Sequence, residues 1–180
     1  MTSTVTGPAA DVVSGAAAGT TTQSVTLVAA TVGTGLMAGL YFAFDVSVMP
    51  GLGRGDDQTY VTAMRNINEA IDNGLFGLLF LGAFLATGIA AVQQQRGGRP
   101  DAARWGWTAF ALYGLSLVVT AVVNIPLNNQ LARAGSDLSA ARSRFGTRWA
   151  GGNLIRTVAC TAALAALGRA LTLHGRASAA

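Results

Sequence analysis

The sequence has no lysine, one cysteine and one histidine in 180 residues. Each shortage closes a route. The lone Cys160 cannot form an internal disulfide, and in its apolar run it reads as a small buried hydrophobe. The lone His174, near the C-terminal end, reads as a tail residue. Without a second imidazole, a haem, zinc or di-iron site held by histidines is not expected. P-loop, dinucleotide-binding, HExxH and CxxC motifs are all missing, so the common soluble-enzyme chemistries find no carrier. No metal and no cofactor are expected. Charge is also scarce, at 11% of residues against roughly a quarter in soluble domains.

What remains is apolar. Hydrophobic residues make up 51% of the chain, and there are 23 glycines. Glycine and alanine let helix backbones approach closely, which is how helices associate in lipid. The net charge of +4 is carried by arginine alone. These arginines lie between apolar stretches, so they report membrane topology, and nucleic acid is not an expected partner.

Three uncharged runs approach the ~20 residues needed to cross a bilayer: Val25 to Phe44, Gly74 to Val92 and Trp105 to Val123. A fourth, Ala150 to Leu173, contains Arg156 and Arg169. The expected fold is all-α, a four-transmembrane-helix bundle over residues 25–173. Residues 1–24, rich in Thr, Ser, Ala and Gly, are expected as a disordered tail, and they lack the basic start of a standard signal peptide. Residues 174–180 are expected as a second tail. Short amphipathic helices are expected in the first connection, where Tyr60, Met64, Ile67 and Ile71 form one stripe, and in the third, where Leu138, Ala141, Phe145 and Trp149 do. Asp56 or Asp57 can cap the first of these and Asp137 the second. The pair Gly35 and Gly39 fits close helix packing. Arg96, Arg99 and Arg104 in the second connection place that loop, and both termini, in the cytoplasm. The expected location is the inner or plasma membrane.

Polar groups at membrane depth are costly, so they usually face a bundle interior or a cavity. Three constellations stand out. Asn124-Ile-Pro-Leu-Asn128 ends span three, where Pro126 kinks or ends the helix. Its asparagines either satisfy the freed backbone groups or bind a ligand. Trp149, Asn153 and Arg156 share one helical face. Indole, amide and guanidinium there can stack on, hydrogen-bond to and charge-pair with a planar oxyanion. The competing reading is an interfacial tryptophan with a snorkelling arginine. Asp45, closing span one, is either a wetted interfacial acid or a base able to pair with Arg156. Glu69 is a second base candidate, with solvent as its default home. Asn68 and Asn73 can turn into the bundle.

Met49-Pro50-Gly51-Leu52 after an aromatic, glycine-rich first span, Asn68 with Asn73, the Asn124–Asn128 run and Trp149-xxx-Asn153-xx-Arg156 together resemble one family: the anthrone oxygenase-like group of small membrane proteins. The resemblance covers about residues 27–172. It implies four membrane helices. It also implies motif positions at Asn68, Asn73, Asn124, Pro126, Asn128, Trp149, Asn153 and Arg156. Fungal members oxidise anthrones to anthraquinones with molecular oxygen, without an obvious cofactor. The expected function is a cofactor-independent oxygenase for a planar phenolic substrate. In it Arg156 stabilises the oxyanion, Asp45 is the base, Trp149 stacks, and Asn68, Asn73, Asn124, Asn128 and Asn153 contact substrate. The alternative is a non-catalytic membrane protein that binds a lipid or quinone-like molecule or supports a partner; a transporter subunit is a third, weaker reading. Expected partners are a small hydrophobic aromatic molecule and the lipid bilayer, with a homo-oligomer left open.

Overall fold

The computed structural model describes residues 8–179, with side chains from Thr21 to Ser178. Among the described residues the chain is helical and has no strand. Its elements are α1 (Pro8–Ala43), α2 (Met49–Gly53), α3 (Asp57–Ile71), α4 (Gly74–Arg96), α5 (Pro100–Val119), α6 (Ile125–Ala132) and α7 (Leu138–Ala179). Four stretches are long and apolar enough to cross a membrane: Thr21–Gly53, Gly74–Arg96, Pro100–Ala132 and Leu138–Ser178. Around the bundle α1 packs on α4 and α7, and α5 packs on the same two. Short connections alternate the helix directions. The one between α4 and α5, at Gly97–Arg99, needs the left-handed backbone of Gly98, with φ of 68°.

The four-span expectation holds, with differences at the ends. Residues 8–24, expected as tail, are helical and run into the first span; residues 1–7 lie outside the described part. An alanine-rich stretch adjoining a formed helix extends it without a new nucleation cost. At the other end α7 continues to Ala179, into the residues expected as a C-terminal tail; residue 180 lies outside the described part. His174 is a buried tie and not a tail residue. Its Nε2 lies 2.8 Å from Ser24 Oγ and its Nδ1 3.0 Å from Gln94 Oε1, which joins α7 to α1 and α4. The stripe from Leu138 to Trp149 is helical as expected. It is the start of α7 and not a separate helix, and the Asp137 carboxylate caps it by accepting from Ala140 N–H at 3.0 Å.

The bundle is built small-inside and large-outside. Alanines such as Ala30, Ala83, Ala90, Ala109, Ala163 and Ala170 are buried, while Val25, Val28, Val32 and Leu36 on α1, and Leu78, Leu81, Leu85 and Ile89 on α4, are exposed. In lipid an apolar surface needs no burial, so close backbone packing decides which side chains go inward. The glycines that permit it are not Gly35 and Gly39. A Cβ on Gly39 would meet nothing within 4 Å, whereas one on Gly106 would lie 3.0 Å from the Ala91 Cα and one on Gly33 2.9 Å from the Ala83 Cβ. Gly106→Ala is therefore expected to destabilise the bundle by about 1–3 kcal/mol through overpacking. Gly39→Ala should be neutral or stabilise by about 0.5–1 kcal/mol. Thermal unfolding in one detergent compares them, and a tolerated Gly106→Ala would contradict the packing.

Helix α3 lies across one end of the bundle. Tyr60, Val61 and Met64 pack against Leu127, Leu131, Phe145 and Trp149. Arginines fasten it at both ends. Arg65 donates to the carbonyls of Leu131 at 3.0 Å and Ala134 at 2.7 Å. Arg142 donates to the carbonyls of Gly53 and Gly55 and to the Asp57 carboxylate. Asp56 caps α3, accepting from Thr59 N–H at 2.7 Å. Its hydrogen bonds from Thr59 hold its carboxyl below the usual carboxylate range. A depressed folded-state value means the cap's stabilisation is present above the ordinary aspartate range and is lost as pH falls through the folded value. Amide exchange in the first turn of α3 should accelerate on acidification, and Asp56→Ala should show that faster exchange already at neutral pH. Equal exchange in variant and wild type across the range would refute this.

Two spans end in the same device. Phe44–Val48 after α1 and Thr120–Asn124 after α5 are π-helical. Met49 N–H donates to the Phe44 carbonyl, and Ile125 N–H to the Thr120 carbonyl. Each donor immediately precedes a proline, Pro50 or Pro126. A proline ring clashes with the carbonyl four residues back and offers no N–H, and a widened turn relieves both problems without ending the helix. The kink expected at Pro126 thus takes the form of a π turn followed by α6.

Candidate functional site at the α3 end of the bundle

Both π turns face α7 at the level of Trp149, Asn153 and Arg156. A cavity of about 750 Å³ opens there, roofed by α3 and walled by α1, α4, α5–α6 and α7. That volume suits a small organic molecule, for which sites run roughly 300–1,000 Å³. Its walls carry the rings of Tyr41, Phe44, Phe76, Phe80 and Trp149. Asn68, Asn73, Asn124, Asn128, Asn153 and Arg156 all border it, as do Glu69 and Asp72. A second open cleft, about 530 Å³ between α6 and the start of α7, includes Pro126 but none of the other predicted site residues.

Arg156 is the centre of the arrangement. Only 7% of it is exposed. Its guanidinium carbon lies 4.4 Å from the Tyr41 ring centroid and 5.4 Å from that of Trp149, cation–π contacts on two rings. Nη2 donates to Asn153 Oδ1 at 2.6 Å, Nη1 reaches Thr120 Oγ1 at 3.4 Å, and Nε has no partner. Among the described residues no carboxylate stands within ion-pair distance of it. A buried cation with unspent donors and no counter-ion suits an anionic oxygen.

The asparagines divide by how much of each amide the protein uses. Asn153 is fully engaged. Its Nδ2 donates to the Tyr41 carbonyl at 2.8 Å and to Asp45 Oδ1 at 2.7 Å, leaving Oδ1 to hold Arg156. Asn73 caps α4, accepting from Phe76 N–H and donating to the Ala70 carbonyl. Asn124 is a tie between helices, with Nδ2 donating to the Trp149 carbonyl at 3.3 Å. Its Oδ1 is turned toward Gly152, where an added Cβ would lie 2.9 Å away. Asn128 accepts from Trp149 Nε1 at 2.8 Å and keeps its amide N–H groups. Asn68 makes no hydrogen bond within the described residues, so its whole amide is available to the cavity.

Asp45 sits differently from the expectation for a base. It does not border the cavity. It stands behind Asn153 on the π turn, where its two oxygens accept from Asn153 Nδ2 at 2.7 Å and Thr157 Oγ1 at 2.5 Å. The link to Arg156 runs through the Asn153 amide and not through a direct ion pair. The acids that do reach the cavity are Glu69 and Asp72, at its rim. Helical periodicity put Glu69 on the solvent face of α3, and a cavity edge is solvent-facing too. Two contributors escaped the sequence reading. Thr157 follows Asn153 by one turn and was findable by the same spacing. Tyr41 carries no signal of its own in the sequence, and only the packing of α7 sets Arg156 on its ring. Among the described residues no three His, Cys, Asp or Glu side chains converge to hold a metal.

Fold and site together define a four-helix integral membrane protein with an aromatic cavity around a buried arginine. A family model for anthrone oxygenase matches residues 64–166, more than half of the chain, and the protein belongs to that family. The match encloses Asn68 through Arg156, while Asp45 and the Met49–Leu52 motif precede it. Comparison with curated proteins and with solved structures gives no match.

Proposed function

We propose that this protein is an oxygenase that uses no bound cofactor and oxidises a planar phenolic substrate of the anthrone type to a quinone. One observation carries the reading: Arg156, without a carboxylate partner, lies buried between two aromatic rings in the wall of a cavity of substrate size. The flat substrate rests on the aromatic walls with its oxygen toward the guanidinium. A base takes one proton from the methylene carbon, and the negative charge spreads to the oxygen held by Arg156. The carbanion passes electrons to dioxygen, a C–O bond forms, and one proton completes a hydroperoxide. Loss of water leaves a carbonyl. One methylene and one dioxygen enter; one carbonyl and one water leave.

Roles follow from which groups are free. Asn68 and Asn128 orient substrate oxygens, Trp149 stacks, and Asn153 holds Arg156. Glu69 takes the place of Asp45 as the base, because it borders the cavity and Asp45 does not. Glu69→Gln is expected to lower turnover about 10²-fold or more. Unchanged turnover would strike Glu69 from the mechanism.

The family resemblance and the aromatic walls support the oxygenase. The commitment of Asn73, Asn124 and Asn153 to protein groups supports the rival, a non-catalytic membrane protein for a lipid or quinone-like molecule. Oxygen consumption by the purified protein given an anthrone, with quinone formation followed in parallel, separates them. Uptake no faster than spontaneous oxidation would move the assignment to the binding protein. We place the termini and the α4–α5 loop in the cytoplasm, because Arg96, Arg99 and Arg104 cluster at that loop.

A further inference from the structure

We propose that the cavity opens sideways to the bilayer, between the first two turns of α4 and the α5–α6 joint, and that its occupant enters from the lipid and not from water. The inference rests on the preceding reading only in taking the occupant to be planar and apolar, and it stands whether or not that molecule is oxidised.

Along most of its length α4 is sealed against α5. Phe84 stacks on Phe110 with centroids 4.4 Å apart, Tyr113 donates to the Phe80 carbonyl at 2.9 Å, and Gly106 meets the Ala91 backbone. Beyond Phe80, toward α3, the seal ends. There α4 has at most marginal contact with Thr120–Asn124 or α6, because the π turn redirects the α5 backbone. Gly77 offers no side chain to fill the space, and a Cβ added there would meet nothing within 4 Å.

Ile125 supplies the decisive observation. It continues the exposed stripe of Val118 and Val122 that faces lipid, at 48% exposure, and it also borders the cavity. A side chain belongs to both surfaces only where the wall between them is breached. The lips of the breach are apolar: Phe76, Gly77 and Phe80 on one side and Ile125 on the other. The edge nearer water carries Glu69 and Asp72, neither in an ion pair among the described residues. Those carboxylates oppose an anionic molecule arriving from water and leave an apolar one arriving from lipid unaffected.

The experiment places the protein in nanodiscs with Trp105→Phe and Trp107→Phe, so that Trp149 on the cavity wall is the sole tryptophan. Phospholipids brominated on the acyl chain near the headgroup serve as contact quencher. Trp149 should be quenched although it is only 4% exposed. Gly77→Phe with Ile125→Phe should cut the quenching by roughly half as packed side chains wall the ring off. Ile155→Phe, on a lipid-facing stripe elsewhere, should leave it unchanged. Gly77→Leu alone, adding bulk in open space, provides a milder filling should the double variant not fold. Equal quenching in filled and unfilled proteins, absence of bromolipid quenching, or quenching by aqueous iodide in its place would each overturn the portal. None of these readouts uses turnover, so an inactive protein leaves the portal standing, and a closed wall leaves the oxygenase reading standing.

Discussion

Arg156→Ala should bring anthrone-dependent oxygen uptake down to the spontaneous rate. Removing one preorganised donor from a developing oxyanion typically costs about 10²–10³ in rate, and here the cation and its contacts with the Tyr41 and Trp149 rings are lost together. The substitution also leaves Asn153 Oδ1 without its 2.6 Å donor. An unpaired buried acceptor costs about 1–3 kcal/mol, partly offset because a desolvated charge is removed as well. The variant should therefore still fold, with a lowered unfolding temperature. Arg156→Lys keeps the charge but loses the planar group that lies on Tyr41 and Trp149, so it should fall between the two. Full uptake by Arg156→Ala would show that the cavity wall is not where the chemistry occurs.

The second large effect is expected at Asp45, where two substitutions should part company. Asp45→Ala removes the acceptor for both Asn153 Nδ2 and Thr157 Oγ1. Nothing then decides which way the Asn153 amide faces, and Arg156 loses its fixed acceptor. Turnover should drop about tenfold or more, in line with the sensitivity of catalysis to small misplacements. Asp45→Asn has the same shape. Its oxygen can accept from Asn153 while its amide donates to Thr157, so most activity should survive with the pH profile unmoved. A base behaves otherwise: neither alanine nor asparagine can take a proton, and both variants would be equally dead. Comparing the two rates at several pH values decides whether Asp45 is a positioning residue. Equal inactivity would restore it as the base and undo the role given to Glu69.

The residues that surround the cavity were largely legible before any coordinates. Asn68, Asn73, Asn124, Asn128, Trp149, Asn153 and Arg156 all border it. They were conspicuous because amides and a guanidinium at membrane depth are costly and need a reason. What each one does was not legible. An asparagine that caps α4, one that ties α5 to α7 and one that faces the cavity with a free amide look alike in sequence. The difference lies in what is packed within 3 Å, and that is set by neighbouring helices.

Some properties follow from local chemistry alone. Long uncharged runs must be helical in lipid, since the backbone can satisfy its hydrogen bonds in no other open form. Prolines at 50 and 126 must disturb the spans that contain them, and α3 must present Tyr60 and Met64 on one face. Hence four spans, the expected disturbance at Pro126 and the amphipathic roof could be stated from residue order. Other properties depend on which side chains meet across a helix gap. Only the packed bundle puts Asp45 behind Asn153 instead of beside a substrate. It also sets Arg156 on the ring of Tyr41, buries His174 between Ser24 and Gln94, and leaves Gly77 facing open space. Such contacts join positions as far apart in the chain as 150 residues, for His174 and Ser24. No periodicity reaches that far, so helix packing, and not sequence spacing, decided the chemistry of the site.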